Sequence, residues 1–558
     1  MKTKHTFKLL SSAIPWLAVF LGAATAVRAA TVSSTADDGS GTLRKLVSQA
    51  LTGDEIDFNL PIGSVITLTS GEIILNKNLT IAGPGAKNLT IQAASLNQRA
   101  FEVEKDNGGA GVTVTISRLR FTGGFSFPDG QPGTAAGRPG QDVVLPAEGG
   151  FFLNDKDCTL IVTNCFFDGC YAAGGRGGLG YGGDLAQPGK GGKGGPALGG
   201  AIATLGSLVL SGCTFSGNTA NGGRGGDGTN ASSSFNGSNG GDGGLAHGGA
   251  IFVDYNGAPA LLATNCTLFE NVAYGGDGGT GGNALLGPQA GNGGGGGEAK
   301  GGGLFYFINM CAQMDCGTTE HSTFSQNYTR PGTGGSGGSG PVNGSPGPDG
   351  TGAGGGMFLG TPDYQVGNTL LAANGGLGAS LCPGPDINGT IISLGYNLVG
   401  INDGQPVGLT PLDLQGNPGN PLDPRLGPLQ DNGGETLTMA PLAGSPAIDS
   451  GSAGNALFDQ IGQIRPVPVT SGPFPGDGSD IGAFEVQCSY DIPALNILSA
   501  GPSLVLTWPW PSTCFVLQQS SDLLTWTDST YAVAHVGNEN QVTLSPPPPN
   551  NLFFRLKK

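Results

Sequence analysis

Short apolar runs punctuated by glycine dominate this chain, and they recur with a long period. Five times between residues 149 and 374 a glycine pair precedes two apolar residues: Gly149-Gly150-Phe151-Phe152, Gly199-Gly200-Ala201-Ile202, Gly248-Gly249-Ala250-Ile251, Gly302-Gly303-Leu304-Phe305 and Gly355-Gly356-Met357-Phe358. These openings are 50, 49, 54 and 53 residues apart. Each is followed by β-rich pieces such as Thr159-Leu160-Ile161-Val162 or Leu208-Val209-Leu210. Each segment then closes on an apolar residue, in turn Phe167, Phe215, Leu268, Phe324 and Leu371. Three residues further on come Cys170, Asn218, Asn271, Asn327 and Asn374. An opening-to-closing length of 20 to 26 residues suits one coil of a parallel β-helix. One coil cannot bury its own apolar face, so stacked coils must supply the core.

Stacking turns each recurring position into a ladder, with neighbouring strands about 4.8 Å apart. Phe167, Phe215, Leu268, Phe324 and Leu371 are expected to form an internal apolar stack. Asn218, Asn271, Asn327 and Asn374 are expected to form a second ladder at a bend, where asparagine tolerates left-handed backbone and bonds to neighbouring amides. Cys170 interrupts it at the first coil. Between coils lie glycine-rich segments 171–198, 219–247, 272–301 and 328–354, all leaving from one corner. Their near-constant length predicts inserts that stack on one another as a glycine-rich layer of polyproline type. A disordered layer is the alternative that this composition permits.

Ahead of the repeats, Leu43, Leu46, Val47, Ala50 and Leu51 share one helical face. This helix is expected to cap the open end of the stack, whose unpaired strand edges need covering. Strands are expected near 65–69, 72–75, 79–81, 89–91 and 112–116, together filling an N-terminal region of 30–124 before the repeated coils of 125–400. The fold class is therefore all-β: a right-handed parallel β-helix with a capping helix, one-sided glycine-rich inserts and a small C-terminal β-sandwich. The sandwich is read at 488–558, where runs such as Leu504-Val505-Leu506-Thr507-Trp508 alternate with proline-rich turns.

Lys2, Lys4 and Lys8 precede an apolar run from Ala13 to Ala26, and small residues follow at Ala29 and Ala30. This is the pattern of a secretory signal peptide over 1–29. The chain has 558 residues, 106 glycines and a net charge of -16, and losing Lys2, Lys4, Lys8 and Arg28 would take that to -20. Such acidity argues against nucleic acid and anionic membrane as partners. No later apolar stretch is long enough for a transmembrane helix. A secreted or outer-surface location is expected. Of ten cysteines, Cys165, Cys213 and Cys266 share one repeat position, so they are expected as buried, unpaired thiols. Cys311 with Cys316, and Cys488 with Cys514, are the disulfide candidates.

Several ordered motifs carry a family resemblance. The Gly-Gly-Ala-Ile pairs at 199 and 248, with Phe-x-x-Asn at 215 and 324, resemble the repeats of polymorphic outer-membrane proteins. Asp423-Pro424-Arg425-Leu426-Gly427-Pro428-Leu429-Gln430-Asp431-Asn432-Gly433-Gly434, Gly444-Ser445-Pro446-Ala447-Ile448-Asp449-Ser450-Gly451 and Asp480-Ile481-Gly482-Ala483-Phe484-Glu485 resemble the choice-of-anchor Q domain of exported bacterial proteins. That resemblance spans roughly residues 31–487, with 401–487 as its C-terminal part. It implies a bacterial cell-surface or secreted β-helix and supplies no catalytic residues. The chain departs from the family in ending Phe553-Phe554-Arg555-Leu556-Lys557-Lys558, with neither a terminal apolar helix nor a large β-barrel.

Chemistry is sparse. Asp155, Asp157 and Asp168 fall on one coil, but adjacent coils are read as contributing no acidic partner, and glycoside hydrolysis needs two facing carboxylates. The polygalacturonase-type set of Asn-Thr-Asp, Asp-Asp and Gly-His-Gly is not found. His247, His321 and His535 are read as isolated, and no cysteine-histidine spacing suggests zinc. Gly222-Gly223-Arg224-Gly225-Gly226-Asp227 matches the start of a calcium nonapeptide, which functions only in tandem copies. Trp508, Trp510 and Trp526 serve either as sandwich core or as a sugar-stacking face. We therefore expect no catalytic, cofactor or metal residues, and an adhesion or structural scaffold contacting extracellular glycan, matrix or a cell-surface component. The rival expectation is a polysaccharide lyase or glycoside hydrolase with a C-terminal binding module.

Overall fold

The computed structural model describes residues 28–94, 99–126, 130–131, 138–182, 188–232, 234–254, 260–308, 316–377, 382–469, 475–487, 493–509, 515–536, 539–548 and 551–557. Residues 1–27, where a signal peptide is expected, and Cys311, Cys488, Cys514 and Trp510 lie outside them.

Three parallel sheets wrap one apolar core, as the coil period requires. The first sheet holds ten strands, from Ala29–Val32 and Asp54–Phe58 through Thr159–Thr163 and Ser207–Ser211 to Ile391–Gly395. The second carries the closing segments, including Phe166–Ala173, Thr214–Ser216, Thr267–Phe269, Thr323–Ser325 and Leu370–Ala372. The third runs from Ile73–Leu75 and Phe101–Val103 through Phe152–Asn154 to Ile387–Asn388. Register on the second sheet pairs Phe167, Phe215, Leu268, Phe324 and Leu371 in one column, all at most 2% exposed. Phe167 and Phe215 stack at 4.5 Å, 3° from parallel. Burying each such side chain contributes about 1.5 to 3 kcal/mol.

Register also corrects the repeat alignment. Phe152, Ile202, Ile251, Leu304 and Met357 are the true equivalents. The last two openings are thus Gly301-Gly302-Gly303-Leu304 and Gly354-Gly355-Gly356-Met357, one residue earlier than the glycine-pair reading placed them. The fixed point is the left-handed corner at Gly149, Gly199, Gly248, Gly301 and Gly354, with φ between 59° and 67°. A third glycine in the last two openings hid this register.

The asparagine ladder exists, with a different geometry from that expected. Asn218, Asn271, Asn327 and Asn374 are not the left-handed residues. That conformation belongs to the preceding residue, Gly217, Glu270, Gln326 or Ala373. The twist there swings each asparagine inward, where its side chain bridges coils. The backbone N–H and Nδ2 of Asn218 both donate to Asn271 Oδ1, those of Asn271 to Asn327, and those of Asn327 to Asn374. Asn374 in turn donates to Asp386 Oδ1. Cys170 keeps the backbone half of the pattern, donating its N–H to Asn218. The second column, Cys165, Cys213 and Cys266, is buried and unpaired as expected. Cys316 is disulfide-bonded, to a partner outside the described residues.

Helix α1, Leu43–Gln49, is capped by Thr42 and buries Leu43 and Val47 against the first coil. Leu51, expected on the same face, is 58% exposed because the chain turns extended at Ala50. After the last coil, the described residues of 423–487 do not coil. They run back as a strap over the outer face of the second sheet. Thr214 donates to the Leu437 carbonyl and Thr267 to Gln460, while Thr323 accepts from the Ala483 N–H. Lys87 with Asp431 and Arg118 with Glu435 fasten its far end near the first coils. The C-terminal module has a four-stranded and a three-stranded antiparallel sheet. Leu506, Trp508, Val542 and Leu544 of one pack with Leu517 of the other.

Candidate functional site

The described residues of the inserts are ordered, and their hydrogen bonds have a period of three. Each insert is a hairpin of two extended legs, and the legs stack coil upon coil into two facing layers. Gly177 donates to the Arg224 carbonyl, Gly225 to Asp277 and Gly278 to Thr333, all within the outgoing layer. Gly194 donates to Asp242, Gly243 to Gly295 and Gly296 to Pro348 in the returning layer. The next residue of each triplet donates across: Gly226 to Gly192, Gly241 to Gly226, Gly279 to Gly241, Gly294 to Gly279. Three residues per turn with all bonding between legs is polyproline-type geometry.

Close approach explains the glycines. A Cβ on Gly225 would run into the Gly241 carbonyl, and one on Gly226 into that of Gly178. Only the third residue of each triplet points outward, and its own N–H finds no backbone partner in the layer. Instead the preceding coil supplies a side-chain acceptor. Asp227 Oδ1 accepts from Thr280 N–H, Asp277 from Thr333, Asn239 from Asn292 and Asn292 from Ser345, at 2.8 to 2.9 Å. At the root, where the legs spread, Ala172, Ala197, Ala220, Ala246, Ala273 and Ala299 form a small core.

Outward side chains therefore stand in columns on a rigid floor. On the outgoing layer, Asn221, Tyr274 and Arg330 form one column, and Arg176, Arg224 and Asp277 the next. Between them runs an open groove of about 530 Å³ floored by Gly174, Gly222, Gly223 and Gly275. Arg224 holds Asp227 at 2.6 Å. Among the described residues, Arg330 is exposed and has no ion pair. The calcium-like run 222–227 is part of this layer, with Asp227 engaged by Arg224 and Thr280.

A second polar face lies on the third sheet. Asp155 does have acidic neighbours, contrary to the sequence expectation: Glu102, Glu148 and Asp254 lie beside it or one strand further, with Arg99 among them. Burial pushes Glu102 up to about 7, and it raises Glu148 and Asp155 as well; Arg99 opposes all three. The signal missed was register, which brings residues some fifty apart together. Asp157 is not part of the cluster and pairs with Lys105 at 2.7 Å. Asp168 sits on the second sheet against Arg120. Further along the third sheet, Phe252, Phe305 and Phe358 stack at 5.2 to 5.3 Å. His247 lies on Phe305 at 4.2 Å and bonds Glu298 at 2.8 Å, so it is not isolated.

His321 is not isolated either. Its Nδ1 accepts from Arg465 Nη1 at 2.7 Å, and burial beside that guanidinium holds it down to about 3, hence neutral. Arg465 lies 3.6 Å from Glu485, both side chains fully buried. Around them the strap's carboxylates accept backbone N–H groups: Glu485 from Val467 and Asp480, Asp480 from Asp449 and Val486, Asp459 from Ile461 and Gln463. These acids do for an irregular segment what a sheet ladder does for a strand. His535 lies on the C-terminal strand Ala534–Val536, away from these clusters in sequence. Trp508 is 2% exposed and belongs to the sandwich core, while Trp526 is half-buried with Arg555 stacked 4.3 Å from its ring. Among the described residues no group of histidine, cysteine and carboxylate side chains is poised for a metal ion. No described helix is long and apolar enough to cross a membrane.

No family model and no curated protein matches the chain. Among solved structures, it is similar to ORF18 of Geobacillus virus E2, at 10% identity over 95% of this chain and 76% of that one, with a TM-score of 0.20. It is also similar to tailspike protein 3 of bacteriophage CBA120, at 11% identity over 65% of this chain and 55% of that one, with a TM-score of 0.19. Likeness this loose carries no inference about what the chain binds.

Proposed function

We propose that this protein is an exported, non-catalytic β-helix scaffold that presents its glycine layer to extracellular glycan or matrix at the cell surface or beyond. The observation that carries this reading is the layer itself. Two of every three residues are spent on backbone-to-backbone bonding, which leaves the third to display side chains in fixed columns around an open groove. Preorganised display lowers the ordering cost of contacting an extended polymer. The motif resemblance to choice-of-anchor proteins and the signal-peptide pattern support the export half of the proposal. Binding of the secreted protein to a glycan array, with no turnover of the same glycans, is the expected result. Absence of binding to every glycan and matrix component overturns it.

One observation favours an enzyme: Glu102, held near neutral pKa beside Asp155 and Arg99, has the protonation expected of a general acid. Reducing-end or unsaturated-product assays on acidic and neutral polysaccharides decide between the readings. Turnover lost in Glu102→Gln or Asp155→Asn would establish the enzyme and remove the scaffold.

A further inference from the structure

The groove on the outgoing layer has a charge pattern of its own, opposite to that of the molecule. The chain carries a net charge of -16, yet three arginines line this one groove. Arg176 and Arg224 stand at one end, on successive coils, with Arg224 also paired to Asp227 at 2.6 Å. Arg330 stands at the other, two coils beyond Arg224 and one triplet nearer the root. Between the cations lie only Asn221, the half-buried Tyr274 and the exposed Asp277. Asp277 Oδ1 already serves Thr333, through both its N–H and its hydroxyl at 2.8 Å. With coils about 4.8 Å apart and about 3.1 Å per residue along a leg, the two cationic ends are roughly 10 to 15 Å apart.

We propose that this groove takes an acidic glycan whose carboxylate or sulfate groups are separated by uncharged sugars. The proposal rests on the glycan-contact reading above and names the ligand class for that site. Guanidinium groups present planar donor forks that match such anions. Tyr274 offers a ring face to the intervening sugar, and Asn221 and Asp277 offer partners for its hydroxyls. A polymer charged on every residue would set an anion against Asp277, whereas an alternating one spans it. Nucleic acid fits poorly for the same reason, since its phosphates recur without a gap and the rest of the surface repels them. Glycines set the floor, so the spacing of these groups does not adjust to the ligand.

The test is equilibrium binding of the full chain to three soluble probes in moderate salt. These are hyaluronate, with a carboxylate on alternate sugars; polygalacturonate, with one on every sugar; and neutral dextran. The expected order is hyaluronate first, then polygalacturonate, with dextran unbound. Arg330→Gln and Arg224→Gln should each weaken hyaluronate binding by about tenfold or more, since hydrogen bonds to charged groups are involved. Lys190→Gln, which removes the same charge from the opposite layer, should leave it unchanged. Keratan sulfate, which carries sulfate and no carboxylate, in place of hyaluronate separates the sulfate source from the carboxylate one. Equal binding of polygalacturonate, or equal losses in all three variants, overturns the groove assignment while leaving glycan contact standing. Binding to dextran alone does the same, and binding to none of the probes or to any array glycan overturns both.

Discussion

Asp386 ends the buried asparagine ladder, and its ionisation makes the ladder sensitive to pH. It accepts from Asn374 N–H and Nδ2 through one oxygen and from Ile401 N–H through the other. Full burial outweighs these donors and pushes it up to about 7. Because the folded-state value lies above the unfolded one, the folded chain holds the extra proton. Its contribution to stability is therefore complete below about pH 4, falls as pH rises towards 7 and is lost above that. A shift of this size corresponds to as much as ~4 kcal/mol. Urea titrations at pH 4.5 and 7.5 should show lower stability at the higher pH in the native chain, and Asp386→Asn should remove Asp386's share of that difference while leaving the share of the other raised carboxylates. Further up the ladder, Asn271→Ala removes the acceptor of two Asn218 donors and leaves the Phe215 carbonyl without its Nδ2 donor. Stranding buried polar groups should cost about 2 to 4 kcal/mol in the same assay.

At the scale of the element, the glycine layer behaves as a sheet that must be both close-packed and stopped. Gly225→Ala forces a Cβ into the Gly241 carbonyl and is expected to destabilise the fold by about 1 to 3 kcal/mol. Ser336→Ala, at an exposed outward position, should stay within about 0.5 kcal/mol. Differential unfolding of the two variants checks this. The last insert shows how the layer ends. Where earlier legs carry the donors Gly275 and Gly293, it has Pro331 and Pro346, which have no N–H to offer. Gly334 instead donates to Asp349 and Gly340 to Asn343, both within the same hairpin. These are the edge-blunting devices of β-sheets, applied to a polyproline-type layer. The double variant Pro331→Gly with Pro346→Gly should self-associate at concentrations where the native chain does not, as read by sedimentation velocity.

Over the whole molecule, the strap at 423–487 ties the last coils to the first across the second sheet. At its centre the Arg465–Glu485 pair is fully buried, so removing one partner strands the other. Arg465→Ala leaves Glu485 buried without its cation and should cost about 3 to 5 kcal/mol. Limited proteolysis should then cut within the strap before the coils. Burial raises Asp459, Asp480 and Glu485 as it does Asp386, so all four favour the folded state in mild acid. The strap is also where the three motifs that resemble choice-of-anchor proteins lie. Three of their charged residues, Asp449, Asp480 and Glu485, accept backbone N–H groups of a segment without a ladder.

What the sequence determined by itself follows from periodicity. A fifty-residue recurrence of glycine, apolar residue and asparagine specifies coils, and constant insert lengths specify a layer, because stacking is the only way such repeats bury their faces. The aligned phenylalanines, the unpaired cysteine column and the capping helix were legible for that reason. Register was not, since a run of three glycines reads equally well one residue either way. Neither was the strand Gly317–Glu320, which has no apolar residue of its own; the rings of Tyr306 and Tyr364 fill the space it leaves. The Glu102 and Asp155 cluster, the contact of Arg465 with His321 and the arginine groove join residues about fifty to 150 positions apart. Only the folded stack decides which of those residues face one another, because a shift of a single residue turns a strand's side chains from one face to the other.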